Sequence, residues 1–222
     1  MLGVYDYTVI LTYLSLISAN VGIFLSLGTG HEYAAALCLM FCGLFDAFDG
    51  KVARLKKNRT EFEKKFGIQI DSLTDVVSFG VLPACIGVEC VRTSSVLSHA
   101  SVVVRAVLMV MLAMFVLAAM IRLAFFNVTE EERQSTEDGN RVYYVGVPVT
   151  VSSLVFPTIL LIQYILDADL AVIYLVFIVI TGFAFITESK VHKPGFKEIM
   201  IMVGIGAVEL LIMLFVWIFL YK

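Results

Sequence analysis

Asp46, Asp49, Asp71 and Asp75 stand within a short stretch bounded on both sides by strongly apolar sequence. Burying a carboxylate in a membrane helix costs at least about 2.5 kcal/mol, so such residues face a cavity, a partner or an ion. Asp46, Asp49 and Ala53 share one helical face, and Asp71 and Asp75, four apart, share a face of a second helix. Turned toward each other, the two faces form a cluster of oxygen ligands that repel unless protonated or neutralised by cations. An all-oxygen set suits hard divalent ions such as Mg²⁺ or Mn²⁺. Gly50 and Gly67 let a ligand approach the backbone closely, and Arg54 offers a fork of donors suited to phosphate. Metals, phosphate donors and small residues together point to phosphoryl-group chemistry.

The elements that must position these residues are membrane helices. With 60% hydrophobic residues in 222 and a mean hydropathy of +0.94, the chain is too apolar for a soluble domain of its size. At about 20 residues per span, apolar segments fall at about 8–28, 33–54, 67–91, 101–126, 147–166, 169–187 and 199–220. This predicts an all-α, polytopic bundle of about seven transmembrane helices forming one catalytic domain over 1–222. No early apolar run precedes a cleavage-like site, so the first span reads as a retained helix. Segments 51–66, 122–142 and 187–198 carry seven, three and three of the chain's sixteen Lys and Arg residues, and all three fall on one side of a seven-span chain. The excess of positive charge marks that side as cytoplasmic. The expectation is an integral protein of a prokaryotic cytoplasmic membrane, with its amino terminus inside, its carboxyl terminus outside and its aspartates open to the cytoplasm.

Other features read more plainly. Cys38, Cys42, Cys85 and Cys90 lie in or beside apolar runs without zinc-site spacing and read as packing residues. Asn58-Arg-Thr60 and Asn127-Val-Thr129 match a glycosylation pattern, but both fall on the side assigned to the cytoplasm. The polar stretch from Thr129 to Tyr144 predicts a mobile loop. His31, His99 and His192 fall in predicted loops or helix ends and do not read as ligands. Glu209, in the middle of the seventh span, is either functional or a protonated carboxyl at a helix or subunit contact.

The pattern Asp46-x-x-Asp49-Gly50-x-x-Ala53-Arg54, twelve intervening residues, then Gly67-x-x-x-Asp71-x-x-x-Asp75 resembles the signature of the CDP-alcohol phosphotransferase family of integral membrane enzymes. The longer run from Phe66 to Ala84 is similar, more narrowly, to the phosphatidylserine synthase branch. Weaker echoes of that branch are Arg122-Leu-Ala-Phe-Phe-Asn127, Gly146-Val-Pro148-Val149 and Pro194-Gly-Phe-Lys197. Close matching covers residues 41–84. The resemblance implies a six-helix core, beyond which 199–220 is an extra span, and a homodimer. It also implies a reaction in which the hydroxyl of L-serine attacks the lipid-bearing phosphate of CDP-diacylglycerol, giving phosphatidylserine and CMP.

Carried onto this sequence, the family pattern makes Asp46, Asp49, Asp71 and Asp75 ligands of two divalent cations, Mg²⁺ or Mn²⁺, with Asp75 the general base. It places Asp46, Gly50, Ala53, Arg54 and Gly67 near the cytidine diphosphate. Serine requires a cation and an acceptor beside the metals. Arg122 is the first candidate for its carboxylate, followed by Asn127, Arg141 and Lys190, while Ser72 and Ser78 either contact serine or pack between helices. Membrane lipids complete the expected partners, and nucleic acid is not among them. Between Arg54 and Gly67 the chain has twelve residues where the family generally has eight, which an extended second helix or a longer loop could accommodate. Thr74 replaces a common alanine. Two rival functions remain: a family member acting on inositol phosphate, glycerol phosphate or a second lipid, and a divalent-cation transporter, for which the outer halves of spans two and three offer almost no polar path.

Overall fold

The computed structural model describes residues 3–136, 143–188, 190–192 and 196–219. Among them are seven continuous helices, in accord with the number of apolar segments: α1 (Ile10–Thr29), α2 (Glu32–Leu55), α3 (Glu61–Thr93), α4 (Val102–Thr136), α5 (Ser152–Leu166), α6 (Ala171–Ile186) and α7 (Phe196–Phe219). The first four, and α5 with the 3₁₀ turn Val149–Val151 that opens it, are long and apolar enough to cross a bilayer. At 16 residues, α6 rises about 24 Å, short of a bilayer core of about 30 Å. The chain is an integral membrane protein built as a helical bundle.

Two boundaries and one added pair of strands depart from the sequence expectation. The third helix begins at Glu61 rather than near 67, because Thr60 caps it. The Thr60 hydroxyl accepts from the Glu63 amide while the Glu63 carboxylate accepts from the Thr60 amide, satisfying two otherwise unpaired donors. The extra residues between Arg54 and Gly67 therefore lengthen the start of α3, and the second helix still stops at Leu55. The fourth helix runs to Thr136, through half of the stretch expected to be a loop. Glu130, Glu131, Glu132 and Arg133 favour helix once a preceding turn exists to propagate from. Finally, two three-residue strands, β1 (Tyr143–Val145) and β2 (Lys190–His192), pair antiparallel with Tyr144 opposite Val191. Three residues are too few for a periodic strand signal to appear in the sequence.

The core explains how the bundle holds its shape. Leu39, Phe79, Leu82, Ile86, Phe156, Tyr174 and Phe185 are buried where α2, α3, α5 and α6 meet. Phe115 of α4 meets Phe156 edge-on at 5.7 Å between centroids and Phe185 at 5.6 Å. The Tyr174 hydroxyl, in the same apolar interior, donates to the Pro83 carbonyl at 2.8 Å. Around Pro83 the α3 backbone loosens into a π-helical stretch, Val76–Val81, without breaking. At Gly43, α2 and α5 touch so closely that an added Cβ would lie 2.3 Å from the Ser153 hydroxyl. Cys42 and Cys90 are buried, and Cys38 and Cys85 half-buried, all with free thiols.

Candidate metal and substrate site

The two motif halves come together as the spacing requires. Asp46 and Asp49, in the second half of α2, and Asp71, in α3, each present a carboxylate oxygen within 4.8 Å of the others. Thr12 of α1 donates to Asp49 at 3.3 Å, so a third helix orients one of the three carboxylates. Asp75 lies one turn beyond Asp71, is only 8% exposed, and borders a cavity of about 730 Å³ together with Asp46. Three expected ligands thus form one group, while the fourth sits beside it on the cavity wall. Such a donor set, all oxygen and drawn from two rigid helices, fits a hard divalent cation in ligand type and spacing.

The cavity is chiefly apolar and is walled by α2, α4, α5 and α7, including Leu154, Val203 and Leu210. Its cation is Arg122. This residue is 7% exposed, donates from Nε to the Val147 carbonyl at 3.2 Å, and lies over the Phe126 ring at 5.4 Å. Gly146 makes that seat available. Its φ of +77° lets the chain turn toward the helix, and a Cβ there would come within 3.2 Å of Arg122 Nε. A guanidinium therefore shares one chamber with Asp46 and Asp75.

The remaining sequence candidates divide. Asn127 donates to the Ser72 hydroxyl at 2.8 Å, linking α4 to α3 one residue beyond Asp71. Ser78 is fully buried against the Ser15 hydroxyl at 3.3 Å, which makes it a contact between α1 and α3 away from the cavity lining. The Arg54 guanidinium lies over Gly50, whose added Cβ would meet it at 3.6 Å, and Ala53 stands on the same turn of α2. Gly67 is covered instead by Arg59, whose Nη2 would be 2.7 Å from an added Cβ. Lys190 belongs to β2, and Arg141 lies outside the described residues. Thr12 and Arg59 were not legible as site residues. An isolated threonine in an apolar helix and one arginine in a basic spacer carry no distinguishing pattern.

Outside the spans, the Lys56 ammonium at 2.6 Å is the main cause that pulls the Asp6 carboxyl down to about 2, assisted by the Thr8 hydroxyl and amide. Lys56 also pairs with Glu63 at 2.6 Å. These contacts tie the segment before α1 to the turn between α2 and α3, directly below the aspartates.

A polytopic helical membrane protein with clustered carboxylates at one end of its bundle is the class that fold and site define. The sequence model of the CDP-alcohol phosphatidyltransferase family matches residues 8–221, and the chain belongs to that family. Among curated relatives, it is 29% identical over 175 residues to a CDP-diacylglycerol–serine O-phosphatidyltransferase of Helicobacter pylori, covering 77% of this chain and 65% of that protein. It is 26% identical over 181 residues to the Bacillus subtilis protein of the same name, covering 76% and 79%. It is 33% identical over 144 residues to an archaetidylserine synthase of Methanothermobacter thermautotrophicus, covering 64% and 53%. The matched region spans just under two thirds of the Helicobacter relative's length. No solved structure gives a significant match.

Proposed function

We propose that this protein transfers the phosphatidyl group of CDP-diacylglycerol to L-serine, forming phosphatidylserine and CMP. The observation that carries the proposal is the convergence of Asp46, Asp49 and Asp71 beside a chamber shared by Asp75 and Arg122. Relatives that use serine as acceptor by name support the choice of alcohol.

In this reading Asp46, Asp49 and Asp71, with Asp75 at the edge, hold two divalent cations, Mg²⁺ or Mn²⁺. When bound, such ions neutralise the phosphates and stabilise the attacking and leaving oxygens. The protein supplies position and proton transfer. Gly50 and Ala53 leave backbone room for the nucleotide beside Arg54, which meets phosphate charge, while Gly67 makes room for the Arg59 guanidinium. Arg122 receives the serine carboxylate, held in place by Val147 and Phe126. Asn127 and Ser72, already hydrogen-bonded to each other, fix the α3–α4 wall near Asp71. Asp75 takes the proton of the serine hydroxyl as its oxygen bonds to the lipid-bearing phosphorus, and the bond from phosphorus to the CMP oxygen breaks. The apolar walls contributed by α5 and α7 suit an acyl-bearing substrate.

The aspartate end of the bundle is assigned to the cytoplasm on the lysine and arginine distribution, and the active unit is assigned as a homodimer on family resemblance. The deciding experiment incubates purified protein with CDP-diacylglycerol, Mn²⁺ or Mg²⁺ and single alcohols, following CMP. Serine-dependent release that disappears in Asp75→Asn is the expected result. Release driven only by inositol phosphate or glycerol phosphate would overturn the acceptor, and ion flux without CMP would overturn the enzyme assignment.

A further inference from the structure

Arg59 stands in the turn between α2 and α3, immediately before the Thr60 cap. Its Nη2 donates to the Glu63 carbonyl at 3.1 Å, which draws the guanidinium back across the first turn of α3. There it lies on the bare backbone of Gly67, close enough that any side chain would displace it. Its Nε is buried and meets no acceptor among the described residues. A charged donor buried without an acceptor is costly, and proteins retain such groups where a ligand completes them.

The position of that donor identifies the ligand's chemistry. Gly67 and Asp71 are four apart, so Arg59 lies about one helical turn from the carboxylate group on the same face of α3. Arg54 lies over Gly50 on α2, a glycine four residues beyond Asp46 and so on that carboxylate's face. Two guanidinium groups thus lie over two glycines on the two helices that carry the clustered carboxylates. Planar forks of N–H donors match phosphate oxygens in pairs.

We propose that Arg59 binds the diphosphate of the nucleotide-linked donor, with its unmet Nε–H completed by a phosphate oxygen. Arg54 grips the diphosphate from α2 and Arg59 from α3. The inference rests on the functional reading above, in that the donor is a cytidine diphosphate lipid. Phosphate of an anionic lipid head group shares the same chemistry, so the test separates the two sources.

The full chain is purified in micelles free of anionic lipid. CDP binding is measured by calorimetry, and donor and serine KM values are measured by CMP release. Arg59→Ala is expected to weaken CDP binding about 10- to 100-fold, the range for a hydrogen bond to a charged group. It raises donor KM in parallel and leaves serine KM unchanged. Arg59→Lys restores part of the loss, and Arg59→Gln keeps side-chain bulk if the alanine variant fails to fold. Unchanged CDP binding in the alanine and glutamine variants overturns the assignment. So does a defect that appears only when anionic lipid is added, which would place Arg59 on head groups. Wild-type protein that binds no CDP sinks the functional reading along with this one.

Discussion

Asp75 and its three neighbours occupy different surroundings, and that difference predicts different failures when each is changed. Asp49 and Asp71 belong to the three-carboxylate group, so Asp49→Asn or Asp71→Asn removes one anionic ligand and should raise the Mg²⁺ or Mn²⁺ concentration needed for half-maximal activity. Titration of activity against metal measures this. Asp75 lies outside that group but on the cavity wall, so Asp75→Asn should lower kcat by about 10²- to 10⁴-fold, the usual worth of a general base. CDP binding should survive, and if it is lost equally, Asp75 serves as a ligand only and the base lies elsewhere. Arg122→Ala should raise serine KM about tenfold or more, a loss near the energy of one charge-assisted hydrogen bond. Arg122→Lys keeps the charge but loses the Nε contact to Val147, so it should recover only part. A donor KM that rose instead would reassign the residue.

Helices position these groups through a few close contacts. Gly43→Val drives a branched side chain into Ser153 where α2 and α5 nearly touch, and it should destabilise the bundle by about 1–3 kcal/mol, the common cost of overpacking. Thermal unfolding in detergent measures it. The turn below the site is held by charge. Asp6 has a carboxyl pulled below its ordinary value of 3.8 to about 2, so its stabilising contribution is complete above that ordinary value and fades as pH falls toward 2. Lys56→Met should therefore melt slightly lower than wild type at pH 7, and the gap should narrow between pH 4 and pH 2. A constant gap would mean that Lys56 acts by packing its stem, because a pairing with Glu63 fades over the same acid range. This is also the scale at which helix boundaries were hardest to read. The hydropathy of 67–91 located the membrane part of α3, yet its polar start at Glu61 depended on a capping exchange between Thr60 and Glu63. The polar composition after Thr129 read as loop, although its glutamates prolong α4 to Thr136.

Across the whole bundle the two ends differ in chemistry. The aspartates, Arg54, Arg59 and the β1–β2 ladder share one end. Glu32, Ser94, Ser95 and Asp169 share the other, where Asp169 accepts from both serines and borders a second cavity of about 820 Å³. Between the ends lie Leu39 and Cys42 on α2 and Leu82 and Ile86 on α3, all buried. This apolar plug is the physical argument against ion transport through the bundle. Glu209, at mid-depth on α7, accepts from Thr158 of α5 at 2.7 Å and stands apart from the carboxylate group. The assigned orientation predicts that a cysteine placed at Lys57 reacts with an impermeant maleimide only in inverted vesicles, whereas one at Ser95 reacts only in right-side-out vesicles. The opposite labelling pattern would reverse the topology. From sequence alone came the membrane class, the number of apolar segments, and the carboxylate motif whose oxygens cluster. Hydropathy and fixed spacing along a helix are local properties, which a chain displays before it packs. Tertiary structure decided that Asp75 stands beside the three-carboxylate group, that Thr12 supports Asp49, that Ser78 packs against Ser15, and that Arg122 and Arg59 reach their places. Those outcomes depend on which faces of distant helices meet, and one chain's order of residues does not state that.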